Sequence, residues 1–498
     1  EFTFTAGIAL ALLEISFGLL SLIRPRKLRT PSRVFPVIAG NLCAFLLVTA
    51  VGLSGFSSID LEQALDFGFD RWQPITTYAS QGFLTSFTEM VNELPIEKPE
   101  GYTSDGAQDI ERGLAAAYDS TYGSSEQRAA AVAQFNEIKP TIVAVMNESF
   151  SDLSCFEQLQ AAGYTGPAFY NSLPDTLVRG TMLASVAGGG TANSEFEFLT
   201  GASTAFVGVG KIPYQLYQMN DVNSLAKDLK ELGYTATAMH PQNPVNYHRD
   251  KIYQQLGFGD FLSIGDFEGA PYYHAGVCDY ATYDKILDLL RTDEAPQFIF
   301  DVTMQNHGGY DVGTVPAEEL TNYWVEGASE GANSALNTYL TCINASDRDL
   351  EYFINELRNI GRPVVLVFFG DHQPSAATAL NDELYPQEDT ASHAFRIYQS
   401  TYFVWANYEI AGNTELNVYD TVGANEIAAI TLNKIGAPLT NYQKALLATR
   451  SDVPTINVAG YLGADGLRYD LESEDSPYVS TIDKLQRIQY LEFASKVQ

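Results

Sequence analysis

The N-terminal part of the chain holds two long apolar runs separated by a short polar segment. Phe2–Ile23 contains one charged residue, Glu14, and Phe35–Phe56 contains none. Each run is long enough to cross the roughly 30 Å of hydrocarbon in a bilayer. The pattern therefore predicts two transmembrane helices rather than two buried helices of a soluble protein.

The segment between these runs, Arg24–Arg33, carries five basic residues. Basic loops stay on the cytoplasmic side of a membrane. We therefore predict a multi-pass protein of the cell membrane whose chain after about residue 57 is extracellular. Because the chain starts at Glu1 and enters a hydrophobic segment directly, we expect a fragment whose earlier membrane helices are missing.

From Lys139 onward, short apolar segments alternate with longer helical patterns. This alternation predicts an α/β domain whose mostly parallel sheet is covered on both faces. The predicted helices include Ser224–Leu232, Tyr283–Arg291 and Ala345–Ile360. The predicted strands are Thr141–Met146, Tyr234–Met239, Gln297–Met304, Val364–Phe369 and Thr401–Trp405.

At 498 residues the chain is too long for one ordinary domain. We expect the two membrane helices in residues 1–57 and extracellular juxtamembrane helices with a linker in residues 58–135. The α/β domain, expected to be catalytic, occupies residues 136–450. Residues 451–498 are expected to form a C-terminal tail that ends in a helix over Thr481–Lys496.

The formal charge of −32 lies almost entirely outside the membrane segment, because the first 59 residues hold five basic and two acidic side chains. Such an acidic body repels phosphate backbones, so no nucleic-acid partner is expected. The four cysteines show no metal-binding spacing, and we expect buried free thiols.

Polar residues follow four of the predicted strands at their carboxyl ends, where open α/β sheets bind ligands. They are Glu148 after the first strand, His240 after the second, His307 after the third, and Asp371 with His372 after the fourth. The alternative interpretation is that Glu148 and Asp371 only cap helices. The recurrence of histidine at strand ends favours a functional site.

Thr191 follows three glycines and opens a predicted helix. A helix start presents N–H groups and a positive dipole end to a phosphate, which makes this hydroxyl a candidate nucleophile. Together with Glu148, Asp371 and His372 it can hold one divalent cation. Mixed oxygen and nitrogen ligands suit Mn²⁺ or Mg²⁺, with Zn²⁺ as a further alternative.

Arg249 stands out because basic residues are scarce in this acidic body. Its guanidinium can grip a phosphate with two hydrogen bonds. The alternative is a salt bridge to Asp250 or to another carboxylate. His307 precedes two glycines and is a candidate for contacting phosphate or for acid–base chemistry.

Four segments resemble the lipoteichoic acid synthase family of the alkaline phosphatase and sulfatase superfamily. They are Val145–Asp152, Gly188–Gly201, Met304–Tyr310 and Phe369–Pro374. The resemblance covers about residues 136–450, together with membrane helices before them. It implies an alkaline phosphatase/sulfatase-like α/β/α sandwich preceded by N-terminal transmembrane helices.

The resemblance also implies an activity. Glycerol phosphate is taken from phosphatidylglycerol through a covalent phospho-threonine, and diacylglycerol is released. An acceptor hydroxyl on polyglycerolphosphate (lipoteichoic acid), a glycolipid or a cell-wall glycan then receives it. By this resemblance Thr191 is the nucleophile, and the Mn²⁺ ligands are Glu148, Asp371, His372 and Thr191 itself. Arg249 and His307 match phosphate contacts, and His240 matches a residue of the glycerol-binding loop. Tyr247 stands where the family often has tryptophan.

Other activities on the same fold stay open. A phosphoethanolamine transferase is expected to use Zn²⁺ with a fuller ligand set, and a phosphatase is a further alternative. A sulfatase requires a cysteine or serine that becomes formylglycine, and Thr191 cannot supply it. A non-enzymatic envelope protein is disfavoured by the presence of all four candidate metal ligands.

Overall fold

The computed structural model describes residues 74–82, 86 and 94–497. Both predicted membrane helices lie outside these residues. Within the described part of the chain, no helix combines the length and apolarity that a membrane crossing requires. The chain divides into two compact units between Pro95 and Ile96. Helix α1 (Pro74–Gln81) belongs to the first unit, and all other elements below belong to the second.

The second unit is built on a central sheet of eight strands among the described residues, in the order β10-β2-β9-β8-β1-β7-β3-β4. Strand β9 runs antiparallel to β2 and β8, and the other neighbouring pairs are parallel. These strands are β1 (Thr141–Asn147), β2 (Thr176–Leu183), β3 (Thr235–Met239), β4 (Asp260–Leu262), β7 (Gln297–Val302), β8 (Val364–Gly370), β9 (Gln399–Ala406) and β10 (Val418–Gly423).

Two small antiparallel sheets accompany the central one. The first contains β5 (Tyr272–Tyr273) and β6 (Gly276–Val277), and the second contains β11 (Thr455–Asn457), β12 (Gly460–Leu462) and β13 (Arg468–Tyr469). The helices are α2 (Ser104–Ser120), α3 (Glu126–Ile138), α4 (Glu157–Ala161), α5 (Ala168–Ser172), α6 (Thr191–Thr200), α7 (Pro213–Leu216), α8 (Leu225–Glu231), α9 (Arg249–Gln255), α10 (Asp279–Thr292), α11 (Glu330–Arg358), α12 (Ser375–Leu384), α13 (Thr390–Ile397), α14 (Ile427–Lys434), α15 (Asn441–Thr449), α16 (Val479–Gln489) and α17 (Ser495–Val497).

Apolar side chains on alternate positions of the strands fill two separate cores. On β8, Phe369 belongs to the cluster that contains Phe198 of α6, whereas Phe368 belongs to the cluster that contains Leu340 of α11. Because successive strand residues face opposite sides, these clusters lie on the two faces of the sheet. The sandwich with a mostly parallel sheet is therefore confirmed.

The five predicted strands are all present with small shifts at their ends, but β2, β4 and β10 were not predicted. The apolar sequence pattern of β2 is interrupted by Arg179 and Gly180, and β10 contains Asp420 and is only partly buried. Helix α11 starts at Glu330, well before the predicted Ala345. Its first turns were missed because their polar residues look like a loop.

These polar residues bind the preceding loop instead of water. The Asn333 side-chain oxygen accepts from Val325 N at 2.8 Å, and the Asn337 oxygen accepts from Tyr323 N at 2.7 Å. Buried polar groups that find such partners cost the fold little. These hydrogen bonds allow α11 to begin at Glu330 rather than at the predicted Ala345.

The compact unit extends beyond residues 136–450 at both ends. At the N-terminal end, Lys444 of α15 forms an ion pair with Asp119 of α2 at 2.9 Å. At the C-terminal end, Phe493 lies 4.8 Å from Phe196 of α6 between ring centroids, and Gln489 accepts from Ser203 N at 2.7 Å. The C-terminal residues therefore pack against helix α6, which begins at Thr191, and against the segment that follows it.

Candidate active site

The two central strands of the sheet deliver the carboxylates of the site. In the parallel pair β1 and β8, Asn147 lies opposite Gly370, so Glu148 and Asp371 emerge side by side. A β-carbon at Gly370 would lie 1.8 Å from the Phe150 carbonyl oxygen. Glycine at this position therefore permits the turn after β1 to fold down against the end of β8.

Backbone N–H groups fix one carboxylate oxygen of Asp371. Its Oδ1 accepts from Ser149 N at 2.7 Å and from His372 N at 2.9 Å. Ser149 has a φ of 54°, the left-handed conformation that the tight turn requires. The arrangement leaves Asp371 Oδ2 to face the interior of the site, where it has no hydrogen-bond partner among the described residues.

The imidazole of His372 presents a lone pair to the two carboxylates. Its Nδ1 lies 2.9 Å from the Gln373 carbonyl oxygen, and in the tautomer that donates to this oxygen Nε2 carries the lone pair. Nε2 is 3.0 Å from Asp371 Oδ2 and 4.0 Å from Glu148 Oε1. One ligand atom from each of these three buried residues lies within 4.8 Å of the others.

The donor atoms of Glu148, Asp371 and His372 suit a bound cation better than they suit hydrogen bonds to one another. Burial raises the pKa of Glu148, and burial followed by the Glu148 charge raises the pKa of Asp371 to about 6. Asp371 Oδ2 and His372 Nε2 are buried without a hydrogen-bond partner in the described chain. Two carboxylates and one imidazole lone pair that converge in this way match the donor preferences of Mn²⁺, Mg²⁺ or Zn²⁺.

The Thr191 hydroxyl completes the group. It donates towards Glu148 Oε2 across 3.5 Å, and Thr191 is 7% exposed. It is the first residue of α6, after Gly190 with a φ of 93°. One turn further along, Ser194 Oγ donates to the Asp371 carbonyl oxygen at 2.6 Å. The predicted set of Glu148, Thr191, Asp371 and His372 is therefore brought together.

The glycines before Thr191 serve the packing of the loop. Gly188 N donates to the Gln373 carbonyl oxygen at 2.8 Å. A β-carbon at Gly188 would meet Ser375 at 3.2 Å, and one at Gly190 would meet Val186 at 2.8 Å. With positive φ at Gly188 and Gly190, these glycines allow the loop before Thr191 to pack against the loop after β8.

Arg249 forms the salt bridge of the alternative interpretation, but with Glu195 rather than Asp250. Its Nε and Nη2 donate to Glu195 Oε1 at 2.9 and 2.5 Å, and Tyr253 OH donates to Oε2 at 2.6 Å. Burial lowers the pKa of Arg249, but the Glu195 charge outweighs it and raises the pKa overall. The guanidinium is therefore a fixed buried cation, and Nη1 is the nitrogen that is not bonded to Glu195.

Sequence reasoning missed Glu195. It lies four residues after Thr191 on α6, so both share one face of the helix. The four-residue spacing between Thr191 and Glu195 is visible in the sequence, but the contact between Glu195 and Arg249, 54 positions apart, is not. The structure therefore links helix α6, which begins with the candidate nucleophile, directly to the candidate phosphate-binding arginine.

His240 and Tyr247 flank Arg249 in different ways. His240 Nδ1 lies 2.8 Å from the Val302 carbonyl oxygen, and burial followed by the Arg249 charge holds the pKa of His240 well below its usual range. The ring is thus neutral, and its Nε2 can accept a hydrogen bond from a hydroxyl. The Arg249 guanidinium lies 5.0 Å from the Tyr247 ring centroid, so one face of that ring is used by Arg249.

His307 is exposed after β7. Desolvation lowers the pKa of His307, while the Asp371 charge acts in the opposite direction. Nε2 of a neighbouring histidine, His274, lies 3.1 Å from the His307 carbonyl oxygen. Below the loop, Asn306 Nδ2 donates to the Glu148 carbonyl oxygen at 3.1 Å. The loop after β7 therefore supports the turn that carries Glu148.

The fold and the site together define a class of protein. The sulfatase family model matches residues 140–427, which is more than half of the chain. The chain belongs to the sulfatase family. Cys278 and Cys342 are buried free thiols, as the sequence predicted, whereas the free thiol Cys155 is half-buried.

Solved structures with the same fold include a phosphoglycerol transferase and a lipoteichoic acid synthase. The phosphoglycerol transferase GacH of Streptococcus pyogenes, solved with sn-glycerol-1-phosphate, has a TM-score of 0.61 at 23% identity, covering 80% of this chain and 95% of that chain. The lipoteichoic acid synthase LtaP of Listeria monocytogenes has a TM-score of 0.54 at 16% identity, covering 79% and 99%. The resemblance drawn from the sequence is confirmed at the level of the fold.

Relatives in sequence have names that concern glycans. A Rhizobium meliloti protein named for cyclic β-1,2-glucan modification is 28% identical over 321 residues, covering 64% of this chain and 47% of that protein. The capsular polysaccharide biosynthesis protein RkpI of the same organism is 26% identical over 245 residues, covering 48% and 42%. The chain spans about half the length of the curated relatives that it matches.

Proposed function

We propose that this protein is a metal-dependent phosphoglycerol transferase. It takes glycerol phosphate from phosphatidylglycerol, holds it on Thr191 and passes it to an acceptor hydroxyl. The observation that carries the proposal is the buried Thr191 hydroxyl, 3.5 Å from Glu148 Oε2, in a cluster where Asp371 Oδ2 and His372 Nε2 are buried without a hydrogen-bond partner among the described residues.

Thr191 and Glu148 account for the first step. The Thr191 Oγ1–phosphorus bond forms as the bond from phosphorus to the diacylglycerol oxygen breaks. The Thr191 proton leaves towards Glu148 Oε2, and the departing diacylglycerol oxygen takes up a proton. Glu148, Asp371, His372 and Thr191 would hold a divalent cation, whose positive charge would lower the pKa of the Thr191 hydroxyl and polarise a phosphoryl oxygen.

Residues around the nucleophile bind the phosphoglycerol group. Arg249 provides a buried positive charge for the phosphate, with Glu195 holding its orientation. The neutral His240 offers a hydrogen-bond acceptor to a glycerol hydroxyl. His307, exposed at the edge of the site, contacts the phosphate or hands a proton to the leaving oxygen. Tyr247 contributes an aromatic wall beside Arg249.

In the second step an acceptor hydroxyl attacks phosphorus. The new phosphorus–oxygen bond forms, the Thr191 Oγ1–phosphorus bond breaks, and Thr191 recovers a proton while the acceptor hydroxyl loses one. Candidate acceptors are polyglycerolphosphate, as in lipoteichoic acid, a glycolipid or a cell-wall glycan. The names of the Rhizobium meliloti relatives favour a glycan.

A lipid donor fits the predicted location. A catalytic unit tethered on the extracellular side of the cell membrane by two helices has phosphatidylglycerol headgroups within reach. Anionic lipid repels a chain of net charge −32 within about 8 Å at physiological salt. We therefore expect the membrane helices, rather than surface charge, to hold the enzyme at the bilayer.

Release of diacylglycerol from phosphatidylglycerol vesicles tests the proposal. With Mn²⁺ the protein is expected to release diacylglycerol, and Thr191→Ala is expected to abolish release. Thr200→Ala serves as a matched control because its hydroxyl lies on the same helix and donates to Phe196 O. Release from phosphatidylethanolamine instead of phosphatidylglycerol would identify a phosphoethanolamine transferase and refute the proposal.

A further inference from the structure

A groove with a volume of about 680 Å³ runs along β2, β9 and β10, and the candidate site residues are not part of its described lining. We call it the β10 groove. Its volume falls within the range of small-molecule binding sites. The groove is lined by Cys155, Tyr170, Arg179, Thr181, Gln399 and Tyr419, among other residues.

The β10 groove starts at the edge of the sheet that carries the active site. Its wall residue Ser400 donates to the Gly370 carbonyl oxygen at 2.9 Å, immediately before Asp371. Gln373, which follows His372, places its Nε2 3.8 Å from the Cys155 sulfur. Through these two contacts the groove borders the turn that carries Asp371 and His372.

The lining offers an aromatic face and hydrogen-bonding groups. Tyr419 is 70% exposed although its hydroxyl lies 2.7 Å from Thr181 Oγ1, so the ring is held in place while remaining accessible. The Gln399 side-chain amide has no hydrogen-bond partner among the described residues and lies at the start of β9. Together these groups suit the apolar faces and hydroxyls of a sugar ring.

The charge of the groove distinguishes between acceptor classes. In the described lining, Asp152 and Arg179 are the charged side chains, one of each sign. Asp152 accepts from Ser154 N at 2.8 Å, and Arg179 donates to the Tyr170 carbonyl oxygen at 2.8 Å. Burial raises the pKa of the Cys155 thiol to about 12, so it is neutral. A polyanion would need uncommitted cations in the lining.

We propose that the β10 groove binds a neutral oligosaccharide, which is the acceptor of the transferred glycerol phosphate. This inference rests on the proposed function and selects a neutral glycan from the acceptors considered above. The Tyr419 ring packs against one sugar, and Gln399 hydrogen-bonds a hydroxyl nearer the active site. A polyglycerolphosphate chain is excluded from the groove by its charge.

The test uses unmodified cyclic β-1,2-glucan as a neutral probe and a polyglycerol phosphate oligomer as an anionic one. Binding of each probe to the full chain is measured by calorimetry, and glucan-linked glycerol phosphate is measured by mass spectrometry. For Tyr419→Ala we expect a loss of about tenfold in glucan affinity. The effect on transfer should fall on the KM for glucan rather than on kcat. Tyr122→Ala, at a tyrosine that is 55% exposed, should behave as the wild type.

The outcomes separate the two proposals. Glucan binding that weakens in Tyr419→Ala and Gln399→Ala, with no binding of the oligomer, supports the β10 groove even if no diacylglycerol is released. Release of diacylglycerol with unchanged glucan affinity in both variants overturns the groove and leaves the transferase intact. Tighter binding of the oligomer than of glucan, or equal losses in Tyr122→Ala, also overturns it.

Discussion

Replacing Glu195 by glutamine tests how the structure holds the candidate phosphate-binding cation. Glu195 is fully buried and accepts hydrogen bonds from Arg249 and Tyr253. Glutamine keeps the volume but removes the charge and turns one acceptor into a donor. The variant therefore leaves the buried guanidinium of Arg249 without a counter-charge.

The expected loss of stability follows from the burial of the pair. Removing one partner of a buried ion pair costs about 3–5 kcal/mol, and glutamine retains one acceptor for Arg249. We expect Glu195→Gln to lower the unfolding free energy by about 2–4 kcal/mol. Because the guanidinium also loses its fixed orientation, diacylglycerol release should fall on the order of 100-fold.

Urea denaturation and diacylglycerol release from phosphatidylglycerol vesicles measure the two effects. Glu231→Gln, at an exposed position of α8, is the matched control. The double variant Glu195→Leu with Arg249→Met should regain stability, because apolar replacements of a buried pair are often neutral, yet stay inactive. Wild-type stability and turnover in Glu195→Gln, or recovered activity in the double variant, would refute the reasoning.

Three further predictions concern the metal, a glycine and a buried acid. Removing divalent cations by chelation should lower the unfolding free energy by about 2.7 kcal/mol relative to protein with free metal at 100 times its Kd, seen as a lower Tm. Gly370→Ala should destabilise the protein by about 1–3 kcal/mol or more in urea titrations, because its β-carbon would overlap the Phe150 carbonyl oxygen. Burial raises the pKa of Asp301 from 3.8 to about 8, so the folded state holds the proton more tightly than the unfolded state. The unfolding free energy should then fall as the pH rises between these values, by up to about 1.4 kcal/mol per pH unit, and Asp301→Asn should reduce that slope.

The candidate metal ligands could be predicted because a simple geometric rule places them. Glu148 and Asp371 each follow a strongly apolar strand, and carboxyl ends of parallel strands meet at one edge of a sheet. The apolar segments that become β1 and β8 are buried at every position. Their pattern in the sequence is therefore unambiguous.

The partner of Arg249 and the edge of the sheet could not be predicted in the same way. Glu195 belongs to a helix whose side chains are buried on all sides, so it shows no amphipathic pattern. Strand β10 is half-exposed and parallel to β2, and neither strand has an uninterrupted apolar pattern. Their pairing depends on contacts between residues more than 200 positions apart, which local periodicity does not report.

The most direct measurement is mass spectrometry of the peptide that contains Thr191 after brief exposure to Mn²⁺ and phosphatidylglycerol without an acceptor. The account predicts a glycerol phosphate group on Thr191, formed together with released diacylglycerol, and its disappearance when a glycan acceptor is added. Release of diacylglycerol by metal-loaded protein with Thr191 unmodified at every time point, or release by Thr191→Ala, would contradict the central claim.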